Sequence, residues 1–131
     1  MTRPASANAR RVLVAEDDDL LREIVCVGLA NEGFEVVAAS DGAVALELFR
    51  ARGPYDALLL DEEMPHLTGR QLLVRLRAAG ERVAALLISG NLEIDDDERA
   101  TLGVGPVIRK PASLDDICRA LHQVIDANRA T

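Results

Sequence analysis

The sequence predicts an α/β fold, a parallel sheet with helices on both faces. Three observations predict it. A strand-like segment followed by a helix-like one recurs five times after the first ten residues. Three of the strand-like segments are continuously apolar, as strands covered on both faces must be. Two apolar runs end directly in carboxylates: Val12-Leu13-Val14-Ala15 runs into Glu16-Asp17-Asp18-Asp19, and Ala57-Leu58-Leu59-Leu60 into Asp61-Glu62-Glu63.

Residues 1–10 carry no apolar pattern and are expected to form a disordered tail. The first strand reads Arg11–Ala15. Leu21, Ile24, Val25 and Gly28 then recur at helical spacing after possible caps at Asp18 or Asp19. The second strand reads Glu35–Ala39, and Ser40-Asp41 opens a shorter stripe of Ala45, Leu48 and Phe49. The third strand, Ala57–Leu60, is followed past Thr68-Gly69 by Leu72, Leu73, Leu76 and Ala79. The fourth strand reads Val83–Ile88. A helix is expected over Leu92–Leu102, whose acidic start suits a helix N-terminus but leaves little core face. The fifth strand reads Pro106–Ile108. The last helix, with Leu114, Ile117, Leu121 and Val124, is opened by Ser113 with Asp116 three residues on, a capping-box spacing.

Composition narrows the function classes. The chain has 131 residues, enough for one domain with a real core, and an aromatic content of 2% makes that core aliphatic. A net charge of −7 argues against a nucleic-acid surface, which needs a basic face. No apolar run is long enough to span a bilayer, and Met1–Arg11 lacks the apolar centre of an export signal. Cys26 and Cys118 are far apart in helical patterns, which suggests reduced thiols and a cytoplasmic location.

In an open parallel sheet, ligands bind beyond the carboxyl ends of the strands. The residues that follow the strands are Glu16 and Asp17, then Asp61, then Ser89-Gly90, then Arg109-Lys110-Pro111. Crowded carboxylates repel one another and resist desolvation, so a cation belongs among them. Oxygen ligands from Glu16, Asp17 and Asp61 suit Mg²⁺. Asp61 can serve as a carboxylate nucleophile and form an aspartyl phosphate. Lys110 and the Ser89 hydroxyl can then meet the charge on the phosphoryl oxygens. Glu16 contacting the metal through water remains as open as direct ligation. Asp17 and Asp61 as mere turn and cap acids is the weaker alternative, and His66 and His122 have no Ser or Cys partner for a hydrolytic triad.

The run Val-Leu-Val-Ala-Glu-Asp-Asp, then Leu-Leu-Leu-Asp-Glu-Glu-Met-Pro-His-Leu-Thr-Gly, then Leu-Leu-Ile-Ser-Gly, then Val-Ile-Arg-Lys-Pro resembles the receiver domain of two-component response regulators. The resemblance extends from about residue 10 to residue 127, with the receiver domain placed at 11–128. It implies a flavodoxin-like, doubly wound fold with a five-stranded parallel sheet of order 2-1-3-4-5. It implies Asp61 as phosphoacceptor, Glu16 and Asp17 as the acidic pair around Mg²⁺, and the backbone carbonyl of Glu63 as a further ligand. Ser89 matches the switch hydroxyl and Lys110 the phosphate-contacting lysine, with a cis bond to Pro111, and Gly69 matches the loop glycine. Two positions depart from the family pattern. Glu16 stands where Asp is commoner, and Val107 stands where many receivers carry an aromatic switch residue.

The expected function is a phosphorylation switch. A histidine kinase or histidine phosphotransfer protein donates a phosphoryl group to Asp61, and the face of the fourth helix, fifth strand and fifth helix then docks a protein target. The chain stops just past the fifth helix, so no DNA-binding or enzymatic output module is expected. Glu62 is expected to be exposed, and the Glu63 side chain to lie near the water that hydrolyses the phosphate. Alternatives are a receiver excised from a hybrid kinase, a binding module that never takes phosphate, and a Mg²⁺-dependent phosphatase. The last is an enzyme, but Glu63 fits poorly as the second acid of such enzymes and the cap domain they usually carry is not expected here. A flavin carrier of the same topology needs a phosphate-binding loop after the first strand, where acids stand instead.

Overall fold

The computed structural model describes residues 8–130. Its elements alternate as predicted: β1 (Arg11–Ala15), α1 (Asp19–Asn31), β2 (Glu35–Ala39), α2 (Gly42–Arg52), β3 (Ala57–Asp61), α3 (Gly69–Ala78), β4 (Ala84–Ser89), α4 (Asp96–Leu102), β5 (Ile108–Arg109) and α5 (Leu114–Arg129). All strand pairs are parallel and the sheet order is β2-β1-β3-β4-β5. This is the flavodoxin-like arrangement implied by the resemblance.

The strand period of two divides the core cleanly. Leu13, Leu58, Leu60, Ala85 and Leu87 join Leu72, Leu73 and Leu76 of α3 on one face. The intervening Val12, Val14, Ala57, Leu59 and Leu86 join Leu29 of α1 and Ile117, Leu121 and Ile125 of α5 on the other. The three central strands are therefore buried on both sides, which is why their sequences read as unbroken apolar runs. Burying one such leucine stabilises the fold by about 1.5–3 kcal/mol.

Helix starts follow the polar residues ahead of each apolar stripe. Asp18, Asp41, Thr68, Asp95 and Ser113 are the N-caps, each side chain accepting from a backbone N–H three residues on. At α3 the Gln71 side chain also accepts from the Thr68 N–H, which completes a capping box.

The structure departs from the expected boundaries at the third, fourth and fifth strands and at the fourth helix. The fourth helix begins at Asp96 rather than Leu92, because Asp95 caps it and Leu92 and Ile94 pack on the core from the preceding loop. The fifth strand is Ile108–Arg109 rather than Pro106–Ile108. Pro106 has no N–H to give a ladder, and Val104 instead makes a lone bridge to Ala85. The fourth strand is Ala84–Ser89 rather than Val83–Ile88, and the third runs one residue further than expected, to Asp61. The tail expectation falls mostly on residues 1–7, outside the described residues. Arg10 is anchored: its guanidinium pairs with Asp126 and lies 2.8 Å from His122 Nδ1.

Gly69 ties the fold to the tip of β3. A Cβ at this position would stand 2.7 Å from the Asp61 carbonyl oxygen. Only glycine lets the first turn of α3 approach so closely. Gly69→Ala tests this, because alanine favours a helix by up to ~1 kcal/mol and a clash acts against it. The clash is expected to prevail, with a net loss of roughly 1–3 kcal/mol in urea unfolding; an unchanged or raised midpoint would show that the contact relaxes freely.

Candidate functional site

The ladders of the sheet continue past the strand ends and hold the polar residues in place. Glu16 N–H donates to the Ala39 carbonyl at 3.1 Å, Glu62 N–H to the Ile88 carbonyl at 2.9 Å, and Lys110 N–H to the Ser89 carbonyl at 3.0 Å. The ends of β1, β3, β4 and β5 thus share one rim. The Lys110–Pro111 peptide bond is cis.

Asp61, the last residue of β3, is buried, with 1% of its surface exposed. Its Oδ1 lies 2.8 Å from Lys110 Nζ and accepts from the Glu63 N–H at 3.1 Å. Its Oδ2 is buried with no hydrogen-bond partner. A buried carboxylate oxygen without a partner is costly. Glu16, also buried, lies with its Oε1 3.6 Å from Lys110 Nζ. Asp17 is the exposed member of the group. Glu16, Asp17 and Asp61 each offer a carboxylate oxygen, all within 4.8 Å of one another. That all-oxygen donor set, together with the orphaned Oδ2, fits a hard divalent cation.

The electrostatics follow from crowding. Burial, then the nearness and charge of the Asp61 carboxyl, push the Glu16 carboxyl up from 4.5 to about 8, against the Asp18 N–H bonded to it. Glu16 and Lys110 also line an apolar cavity of about 410 Å³ whose walls include Leu21, Val25, Leu59 and Ile88. Burial works against the Lys110 ammonium, but Asp61, Glu16 and Glu63 hold its pKa above the usual lysine value. One cation among three acids leaves the rim negatively charged.

The residues singled out from the sequence do not all meet in the same way. Glu16, Asp17, Asp61 and Lys110 form one cluster. Ser89 ends β4, fully buried, and contacts Glu63 rather than Asp61: its hydroxyl donates to Glu63 Oε1 at 2.6 Å. Val107 stands apart, half-buried in the stretch before β5 and packed on the core face shared with α3.

Two side chains do what the sequence did not reveal. The Glu63 carboxylate also accepts from the Gly90 N–H at 2.8 Å. Burial opposes its ionisation, but the Ser89 hydroxyl and Gly90 N–H hold it below the ordinary glutamate value. Glu62, expected to be exposed, is half-buried and accepts from the Arg70 N–H at 2.7 Å. Burial raises its pKa despite that bond. A carboxylate next to the start of α3 was the available signal, since a helix N-terminus offers free N–H donors.

Comparisons with known proteins agree with this architecture. The family model described as the response regulator receiver domain matches residues 12–122. The alkaline phosphatase synthesis transcriptional regulatory protein SphR of Synechococcus elongatus is 33% identical over 90% of this chain and 51% of its own length. The chain spans about half the length of such curated relatives. Several of them are named as transcriptional regulators, so the exclusion of nucleic acid from composition does not extend to those longer proteins. The receiver domain of the Francisella response regulator 1452 superposes with a TM-score of 0.80 at 27% identity, over 90% of this chain and 98% of that one. A CheY-like receiver domain from Methanospirillum hungatei, 19% identical, shares the fold with a TM-score of 0.83 over 94% of this chain and 98% of that one. No helix among the described residues is long and apolar enough to cross a membrane. With a family model covering most of the chain and the polar strand ends gathered on one rim, this chain belongs to the receiver-domain family of two-component response regulators.

Proposed function

We propose that this receiver domain accepts a phosphoryl group on Asp61 from a histidine kinase or histidine phosphotransfer protein in the cytoplasm and uses it to alter a protein-docking face. The observation that carries this reading is the state of Asp61: a buried carboxylate with one oxygen on Lys110 and the other without a partner. In the transfer, an Asp61 oxygen attacks phosphorus and forms an acyl phosphate bond. The phosphorus–nitrogen bond of the donor phosphohistidine breaks, and its electron pair stays on the imidazole.

The carboxylates of Glu16, Asp17 and Asp61, with the Glu63 carbonyl, would hold Mg²⁺. The bound ion would supply positive charge to the phosphoryl oxygens. Lys110 is already paired with the accepting carboxylate and keeps its charge beside the new group. Ser89 serves as the switch hydroxyl by turning its single proton toward a phosphoryl oxygen. The acyl phosphate carries about two negative charges where the Asp61 carboxylate carried one, and that added charge shifts the loops after β3 and β4. That shift reaches the face of α4, β5 and α5, where a protein target docks. With valine at position 107 no ring rotates, so transmission runs through Ser89 and the β4–α4 loop. A receiver joined to a hybrid kinase would use the same chemistry.

Incubation with acetyl phosphate and Mg²⁺ is expected to add one phosphoryl group by intact mass, and Asp61→Asn to abolish it. An adduct that persists in Asp61→Asn would refute the assignment. Lys110→Ala is expected to retain slow acceptance but lose the conformational response, read as amide shifts across α4 and β5; a full response would remove Lys110 from the switch.

The cation also has a signature in stability. Between pH 4.5 and about 8, the folded metal-free protein keeps a proton on Glu16 that the unfolded chain has lost. Stability must therefore fall as pH rises through that window, by an amount on the order of a few kcal/mol. Thermal unfolding in chelator from pH 5 to 8 is expected to show this fall, and Glu16→Gln to flatten it. Saturating Mg²⁺ is expected to restore most of the loss at pH 8 by replacing the proton. Equal slopes for the two proteins would remove Glu16 as the cause.

A further inference from the structure

The Ser89 hydroxyl has no spare capacity. A hydroxyl has one proton to donate and two lone pairs to accept with. Ser89 donates to Glu63 Oε1 at 2.6 Å and accepts from the Asn91 N–H at 3.1 Å and the Leu92 N–H at 2.9 Å. The Gly90 N–H, one residue on, donates at 2.8 Å to the same Glu63 oxygen. Two donors at the end of β4 thus converge on one anionic oxygen, as they would on an oxygen of a phosphoryl group. Glu63 is bound to the acceptor as well, through its own N–H on Asp61 Oδ1 at 3.1 Å. Its backbone is held at Asp61, whereas the residue is exposed and its side chain has room to leave.

We propose that the Glu63 carboxylate is a built-in competitor for the phosphoryl group, holding the Ser89 hydroxyl and the Gly90 N–H until a phosphoryl group on Asp61 displaces it. The inference rests on the reading of Asp61 as phosphoacceptor. It gives the end of β4 two discrete partners, one internal and one acquired. The strength of the Glu63 contact sets how far the equilibrium lies toward the unswitched arrangement. Loss of a hydrogen bond to a charged group from the resting state is expected to favour the switched state about tenfold.

The test is a titration with beryllofluoride, a phosphoryl analogue, in saturating Mg²⁺, followed by the amide signals of Gly90, Asn91 and Leu92. Half-saturation is expected at about tenfold lower analogue concentration in Glu63→Ala, with Glu63→Gln in between. In a Ser89→Ala background the gain from Glu63→Ala is expected to shrink to about twofold, because the Ser89 bond is already gone and only the Gly90 contact is left to release. A gain that survives intact in that background reports only relief of charge repulsion and overturns the competitor. Equal half-saturation in wild type and Glu63→Ala also overturns it, and leaves Asp61 as acceptor. Analogue binding that persists unchanged in Asp61→Asn overturns the acceptor reading itself. Without analogue or metal, the Gly90 amide is expected to exchange faster in Glu63→Ala. Unchanged exchange would show that the contact does not hold the loop.

Discussion

The arrangement of this molecule depends on the Asp61 carboxylate, buried at the tip of the central strand and met by a single lysine. A lone buried carboxylate is expensive, and partnering it with Lys110 offsets much of that expense. The second carboxylate, Glu16, then makes the region over-acidic, and its raised pKa is the measure of that excess. A site in this condition gains from a divalent cation and from a group that uses the free Asp61 oxygen. The receiver fold accommodates the imbalance at the strand ends, because both faces of its sheet are filled by apolar side chains.

The stability comes from the two apolar layers. Residues alternate along β1, β3 and β4 between the α2–α3 side and the α1–α5 side, so both faces of the sheet are filled without a polar residue in the interior of the strands. Polar chemistry is left to the strand ends and the loops beyond them. There the ladder bonds of Glu16, Glu62 and Lys110 hold the backbone while side chains remain available. The rigid frame therefore fixes the spacing of the acids, and the start of the loop after β4 is tied to the loop after β3 through the Glu63 carboxylate.

Much of this was legible in the chain. The apolar runs ending in Ala15 and Leu60 mark buried parallel strands because they are short, continuously aliphatic and recur in alternation with helical patterns. The caps at Asp18, Asp41, Thr68 and Ser113 are local features, set by backbone groups only three residues away, and so are written locally. The α4 boundary was not, because Leu92 and Ile94 look helical in pattern yet are held in a loop by core contacts from elsewhere. The short β5 likewise depends on what β4 can pair with, which no local pattern records.

The sequence by itself determined the order of elements, the division into an apolar core and acidic strand ends, and the identity of the residues gathered on the rim. These follow from side-chain periodicity and from the rule that a parallel sheet presents its strand ends on one edge. Only the tertiary structure decided how those residues are partnered. The Glu63 carboxylate bonded to Ser89, the half-burial of Glu62, the unpartnered Asp61 Oδ2 and the raised pKa of Glu16 all arise from distances between residues remote in the chain. Hydrogen bonds and desolvation act over a few ångströms of space, and spacing along the sequence does not measure that.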